Sequence, residues 1–305
     1  MIFTMNRRDF LLSSAALAAL APFARAQPAS VKKRALKKGF MYGTFGGPNL
    51  EKLKIADRFT LLRAAGFDGV EVNSAMTQTE VLAARDQSGL AIPSVVVSTH
   101  WAKPLSDPNP ATREIGLEGL KQGLRDAKAY GASSVLLVPA VVTKETSYAD
   151  AYTRSVAEIA KAVPLAESLG VVIAIENVWN RFLLSPLEAV AYTDSFKSPM
   201  VRWHLDVGNI VNTGWPEHWI RTLGPRIVKI HVKEYSRKIR DEKGPGAGFK
   251  VDLFEGDSDW PKVLAALDAI GYSGWMITEQ YRPPDLEDAA WLAQLSAKLD
   301  AVIAS

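Results

Sequence analysis

VVIAIEN, residues Val171–Asn177, is a short run that is apolar on both faces and ends in a carboxylate and an amide. A strand apolar on both faces is buried on both faces, which marks a parallel sheet covered by helices. Working outward, seven further runs share the pattern: GFMYGTF from Gly39, GVEVN from Gly69, IPSVVVST from Ile92, SVLLVP from Ser134, VRWHLDVGN from Val201, IVKIHVKE from Ile227 and GWMITEQ from Gly274. Between them lie windows with apolar residues near a 3.6-residue period, such as Leu50–Ala65, Ala111–Tyr130, Tyr148–Leu169 and Trp260–Ile270. Gly66, Gly131, Gly170 and Gly271 stand where those helices need a left-handed terminal residue. Eight such strand–helix units predict an α/β fold, a single (β/α)8 TIM barrel over residues 38–305. A doubly wound open sheet is the weaker reading, because no GxGxxG follows the first strand. The long connection Lys233–Ser258, with Gly244–Gly248 inside it, reads as a loop over the barrel mouth.

Composition narrows the chemistry. The 305 residues are 48% hydrophobic and 23% charged, with a formal charge of +3, enough length and apolar content for one large core. Part of the basic excess sits near the N-terminus, in Arg7, Arg8, Arg25, Lys32, Lys33, Arg34, Lys37 and Lys38, so the barrel itself is close to neutral. That argues against nucleic acid as a partner, since phosphate-backbone binding needs a sustained basic surface. Cysteine is absent, which excludes disulfides, thiolate nucleophiles, iron–sulfur clusters and Cys-based zinc sites. Any metal must be held by His and carboxylates.

Residues Met5–Ala26 have the order of an export signal: a charged start, an apolar stretch from Phe10 to Leu20, and Ala24-Arg25-Ala26 before Gln27. The apolar run is too short to span a bilayer comfortably, so no stable membrane anchor is expected. Arg7-Arg8 followed by Asp9-Phe10-Leu11 resembles the twin-arginine signal. The expected organisation is a signal peptide over 1–26, a linker over 27–37 and the barrel from 38 onward, with the mature protein periplasmic or secreted.

In such a barrel the reacting groups project from the C-terminal ends of the strands. The polar residues there are unevenly spread. The fifth strand ends in Glu176 and Asn177, the sixth carries His204 and Asp206, the seventh His231 and Lys233, and the eighth ends in Glu279. Carboxylates converging on one mouth repel unless a cation holds them. Glu176, Asp206, His231 and Glu279 are therefore the expected metal ligands. Three oxygens and one nitrogen suit Mn2+, the expected ion, or Mg2+, Co2+ or Zn2+, with positions left for water or substrate. His204, two residues before Asp206, is expected one layer deeper, supporting a ligand rather than binding metal. His100, just after the third strand, is a candidate contact to substrate hydroxyls; His218, at the helix start Trp215–Trp219, reads as structural.

GFDGVEV at Gly66, AIENVWNRFLLSP at Ala174, HLDVGN at His204, KIHVKEY at Lys229, GDSDWPKVLAAL at Gly256 and GYSGWMITEQ at Gly271 together resemble the xylose isomerase-like TIM barrels. This family includes sugar and sugar-phosphate isomerases and epimerases such as D-tagatose 3-epimerase, L-ribulose-5-phosphate 3-epimerase and hydroxypyruvate isomerase. The resemblance covers about Lys38–Ala301. It implies the same metal quartet, and it makes Glu176 and Glu279 the acid–base pair on opposite faces of a bound sugar. The implied chemistry is an enediolate next to a metal-polarised carbonyl, deprotonated by one carboxylate and reprotonated by the other. Lys233 and Arg237 become candidate contacts to substrate oxygens, and Trp179, with Trp101 and Phe249, a stacking surface for a sugar face. The chain departs from the epimerase pattern at Asn209, where those enzymes commonly carry a histidine, so Asn209 becomes a substrate-binding candidate of its own.

The expected activity is a metal-dependent isomerase or epimerase of a non-phosphorylated sugar or keto-sugar, because sugar phosphates are mostly cytoplasmic and the leader points outward. A lyase or dehydratase acting on a 3-keto-glycoside or inosose is the alternative with the same carboxylates. A periplasmic carbohydrate-binding protein without turnover is the alternative of another class. Related barrels often dimerise, so a homo-oligomer is compatible with the resemblance; no stretch of the sequence marks an interface.

Overall fold

A computed structural model describes residues 34–45, 52–282 and 286–305. The export-type leader over 1–26 and the linker up to residue 33 lie outside the described residues. Strands β1 (Leu36–Met41), β2 (Gly69–Asn73), β3 (Ser94–Val96), β4 (Ser134–Leu137), β5 (Val172–Glu176), β6 (Val201–Asp206), β7 (Ile227–Val232) and β8 (Gly274–Thr278) pair in sequence order as a closed parallel barrel. Closure is the pairing of β1 with β8, from Leu36 opposite Gly274 to Phe40 opposite Thr278. All eight expected strands form.

Period-2 alternation divides each strand between two environments. On β6, Trp203 and Leu205 join the hydrophobic layer beneath the helices, whereas His204 and Asp206 do not; on β7 the same division separates Ile230 and Val232 from Lys229 and His231. On β2 it separates Val70 and Val72 from Glu71. The outer layer is closed by α1 (Ile55–Ala64), α2 (Gln78–Ser88), α3 (Pro110–Tyr130), α4 (Tyr148–Leu169), α5 (Pro186–Ser195), α6 (Val207–Val211), α7 (Pro216–Leu223), α8 (Arg237–Lys243), α9 (Trp260–Ala269) and α10 (Asp288–Ala304). Leu120 and Leu124 of α3, Ile159 of α4, Val263 of α9 and Leu292 of α10 are fully buried in it.

Local chemistry sets the helix ends. Asn109 Oδ1 accepts from Ala111 N at 3.0 Å with Pro110 at the first helical position, and α3 stops at Gly131 with φ 78°. Ser185 and Glu188 form a reciprocal capping box on α5. Among the described residues of the Leu50–Ala65 window the helix spans Ile55–Ala64, with Lys54 as the residue preceding it. The first strand ends at Met41, because Thr44 Oγ1 donates to Met41 O and closes a 3-10 turn over Tyr42–Thr44. The sixth ends at Asp206: the stretch Val207–Asn209, expected to continue it, is helical, since Asp206 itself caps α6.

Candidate metal centre and active site

Register places the four expected ligands side by side. Glu176 pairs with His204, Asp206 with His231, and Glu279 N donates to Val232 O at 3.0 Å. Glu176, Asp206, His231 and Glu279 each offer a ligand atom within 4.8 Å of the other three. His231 Nδ1 lies 2.9 Å from Glu176 Oε1, 3.2 Å from Glu279 Oε2 and 4.0 Å from Asp206 Oδ2. Lys233 Nζ lies 2.9 Å from Glu279 Oε2 and 3.1 Å from Asp206 Oδ2. Asn177 ties β5 to β6: its Oδ1 accepts from Asp206 N at 3.0 Å and its Nδ2 donates to Asp206 O at 2.8 Å. Asp206 Oδ1 accepts from Asn209 N at 2.7 Å, which leaves Oδ2 facing the quartet. Gly208 lets this turn pack against β7, because a Cβ there would come 2.7 Å from Lys233 O.

Sequence reasoning passed over one member of the cluster. Glu71, fully buried on β2, places Oε2 2.8 Å from His231 Nε2, and with His204 and His231 it forms a second group whose ligand atoms lie within 4.8 Å. The signal was present in GVEVN, where a glutamate interrupts an otherwise apolar strand at an inward position.

Formally, four carboxylates (Glu71, Glu176, Asp206, Glu279) face two cations (Lys233 and protonated His231), leaving two negative charges unmatched in a buried site. The titration behaviour reflects this. Burial pushes Glu176 up and Asp206 up to about 7, so protons partly stand in for the missing positive charge. Burial would also raise Glu279, but Lys233 and His231 outweigh it and hold the carboxyl far below its usual range. Burial would depress His231, yet Glu71, Glu176 and Glu279 raise it well above an ordinary imidazole. A divalent cation would supply that missing charge, and the oxygen-rich donor set with one imidazole nitrogen fits one.

The family model for the xylose isomerase-like TIM barrel matches residues 59–298. The chain belongs to this family. A protein of Escherichia coli (strain K12) assigned as an L-ribulose-5-phosphate 3-epimerase, SgbU, is 27% identical over 249 residues, 76% of this chain and 86% of its own length. D-psicose 3-epimerase of Clostridium cellulolyticum H10, solved with D-tagatose, has a TM-score of 0.72 at 18% identity, covering 87% of this chain and 98% of that one. The 3-keto-D-glucoside 4-epimerase YcjR of E. coli has a TM-score of 0.70 at 16% identity, covering 88% and 98%. At these identities the solved structures share the fold. Relatives and neighbours alike are named as sugar epimerases, that is, isomerases.

In this xylose isomerase-like barrel Glu176 and Glu279 of the quartet line an inner cavity of about 250 Å³. Met41, Val96 and Leu136 form its apolar wall, and His100, Trp179 and Asn209 line it with Lys233. His100 is buried, its Nδ1 accepts from Val138 N at 3.1 Å, and burial pulls it down to about 4, so it faces the cavity as a neutral ring. Asn209 Nδ2 donates to Asn177 O at 3.0 Å, and its Oδ1 lies 3.5 Å from Lys233 Nζ. Trp179 donates to Asn209 O at 3.0 Å and packs on Phe249 with ring centroids 4.9 Å apart. Phe249 reaches the mouth from the Lys233–Ser258 connection, with Lys233 Nζ 4.9 Å from its ring centroid.

Glu234 folds that connection: its carboxylate accepts from Phe254 N, Ser258 N and Trp260 Nε1 at 2.9–3.0 Å, an anchor the sequence reading did not identify. Arg237 stands apart from the other candidates. Its guanidinium donates to Val211 O at 2.9 Å and Gly214 O at 2.7 Å, stacks over Trp215, and lines none of the cavities described here. In this arrangement it braces the loop after β6.

Proposed function

We propose that this chain is a divalent-metal-dependent epimerase or aldose–ketose isomerase of a non-phosphorylated sugar or keto-sugar, working through the sugar enediolate. The observation that carries the reading is geometric: Glu176 and Glu279 both line the inner cavity and, with Asp206 and His231, offer ligand atoms within 4.8 Å of one another. Two carboxyls facing one cavity from different strands are suited to opposite halves of a proton transfer. A divalent cation in the quartet, with Mn2+ as the first candidate, would polarise the substrate carbonyl and acidify the neighbouring C–H. One glutamate of the pair takes that proton as its carboxylate, and the other returns one from its carboxyl. Return to the opposite face inverts the carbon, and return to the neighbouring carbon isomerises.

Two features favour a free sugar at the reacting end. Among the described residues lining the inner cavity the one Lys or Arg is Lys233, whose Nζ is already within 3.1 Å of two carboxylates. The leader supplies the second: export before cleavage at Ala26 takes the protein away from sugar phosphates. We propose periplasmic or secreted localisation on that sequence alone, and mass analysis of the exported protein should give a chain starting at Gln27. A chain that stays uncleaved in the cytoplasm would sink it.

A second reading draws on an outer cavity of about 930 Å³, which shares Trp179, Phe249 and Tyr281 with the inner one. That space suits the second ring of a keto-glycoside, and there the same carboxylates would serve epimerisation or elimination. Incubation with ketoses and 3-keto-glucosides in D2O separates the readings. Deuterium should enter a carbon next to the carbonyl, and Glu279→Gln should slow that exchange by about 100-fold or more. A product of unchanged formula means isomerase; release of water or aglycone means lyase. Tight binding with no exchange in the presence of Mn2+ would replace both with a carbohydrate-binding protein.

A further inference from the structure

We propose that Glu71 is the positioning residue of the metal centre: its carboxylate holds the Nε2–H of His231, so that Nδ1 is the nitrogen presented to the cation. The proposal rests on reading Glu176, Asp206, His231 and Glu279 as a divalent-cation site. A neutral imidazole carries one donor and one acceptor nitrogen, and which is which follows from the partner of the nitrogen that keeps the proton. His231 has carboxylates on both edges. Nδ1 faces the quartet, 2.9 Å from Glu176 and 3.2 Å from Glu279, and Nε2 faces Glu71 at 2.8 Å from the far side of the barrel. A ring giving its Nδ1 lone pair to a cation keeps its proton on Nε2, where Glu71 is the acceptor.

Two observations separate this role from ordinary ion pairing. The second carboxylate oxygen of Glu71, Oε1, is buried with no hydrogen-bond partner among the described residues, and His204 Nδ1 stands 4.0 Å away. The group is therefore held by its bond to His231 rather than by a wider hydrogen-bonded network. His204 packs against the same ring, with centroids 4.1 Å apart at 66°, and neither of its nitrogens has a hydrogen-bond partner among the described residues. It acts as a wall that limits rotation of His231 and offers no competing acceptor contact. A carboxylate behind a metal-bound imidazole fixes the ring and raises its basicity, and losing it typically costs about 10–100-fold in metal affinity.

The test is titration of purified wild type, Glu71→Gln and Glu71→Ala with Mn2+ alone, alongside thermal unfolding of the metal-free proteins. Glu71→Gln keeps the shape and a hydrogen-bond acceptor, so it remains informative if Glu71→Ala does not fold. We expect Glu71→Gln to weaken Mn2+ binding by about 10-fold or more. Nitrogen NMR of the wild type loaded with diamagnetic Zn2+ should show the His231 proton on Nε2. Equal Mn2+ affinity in wild type and Glu71→Gln, whatever happens to thermal stability, overturns the proposal and leaves the metal site standing. A proton on Nδ1 with Nε2 bound to zinc overturns it too. Failure of wild type itself to bind Mn2+ removes the metal site, and the proposal with it.

Discussion

The two halves of the barrel end differently at the mouth. Strands β5–β8 deliver Glu176, Asp206, His231, Lys233 and Glu279, whereas the first four present Met41, Val96, Leu136 and the neutral ring of His100. The fold treats all eight strands alike, so the difference is one of inward-facing sequence, not of architecture. A charged wall opposite an apolar one is a sensible division for a sugar, which has hydroxyl edges and apolar C–H faces. Charges worth moving lie on one side, and the surface that excludes water lies on the other. Glu71 is the exception that the division itself explains: it comes from the apolar half yet lies behind His231, 2.8 Å from a ligand of the charged half.

The sharpest way to break the comparison is to remove a group from each wall and assay the metal. Asp206→Ala takes away a fully buried carboxylate with one oxygen facing the quartet, and elemental analysis should find the bound metal lost. Leu136→Ala takes away a buried side chain of similar size from the opposite wall. It should keep metal at the wild-type ratio while lowering stability by about 2–5 kcal/mol, the ordinary cost of such a truncation. If both variants lose metal, the halves are not functionally separate. If neither does, the quartet is not a metal site.

The charged half was legible in the sequence because its information is local. Each residue of the quartet ends or interrupts a strand whose alternation is plain, as in HLD at His204 and KIHVKE at Lys229, and parallel pairing then puts successive strand ends together. Glu71 was not legible as a partner because its contact runs across the barrel to a residue 160 positions away, and strand tilt and stagger decide which layer it meets. The partners of Arg237 were not legible for the converse reason. Its place after the seventh strand is consistent with substrate contact, but Val211 O and Gly214 O lie within reach and satisfy its guanidinium. The connection itself was recognisable as a long loop, whereas its dependence on Glu234 was not, since a glutamate beside Lys233 reads equally well as a solvated charge.

The remaining prediction tests the apolar half, through His100. Its Nδ1 accepts a hydrogen bond from Val138 N, which requires that nitrogen to be unprotonated, and burial draws the ring down to about 4 from an ordinary value of 6.5. The unfolded chain therefore binds a proton at this residue at a higher pH than the folded one does. The stabilising contribution is complete above about pH 6.5 and is lost as pH falls towards 4, at no more than about 1.4 kcal/mol per pH unit and about 3 kcal/mol in all. His100→Gln offers an amide oxygen to Val138 N and does not titrate. Denaturant unfolding of the two proteins at intervals between pH 7 and pH 4.5 should show wild-type stability falling relative to the variant across that window, with metal-free samples used so that the quartet is compared in the same state. Parallel curves would mean that His100 titrates alike in the folded and unfolded chains and so gains its charge near pH 6.5 despite its burial. The wall opposite the quartet would then carry a cation below that pH, and the division between a charged half and an apolar half would fail at His100.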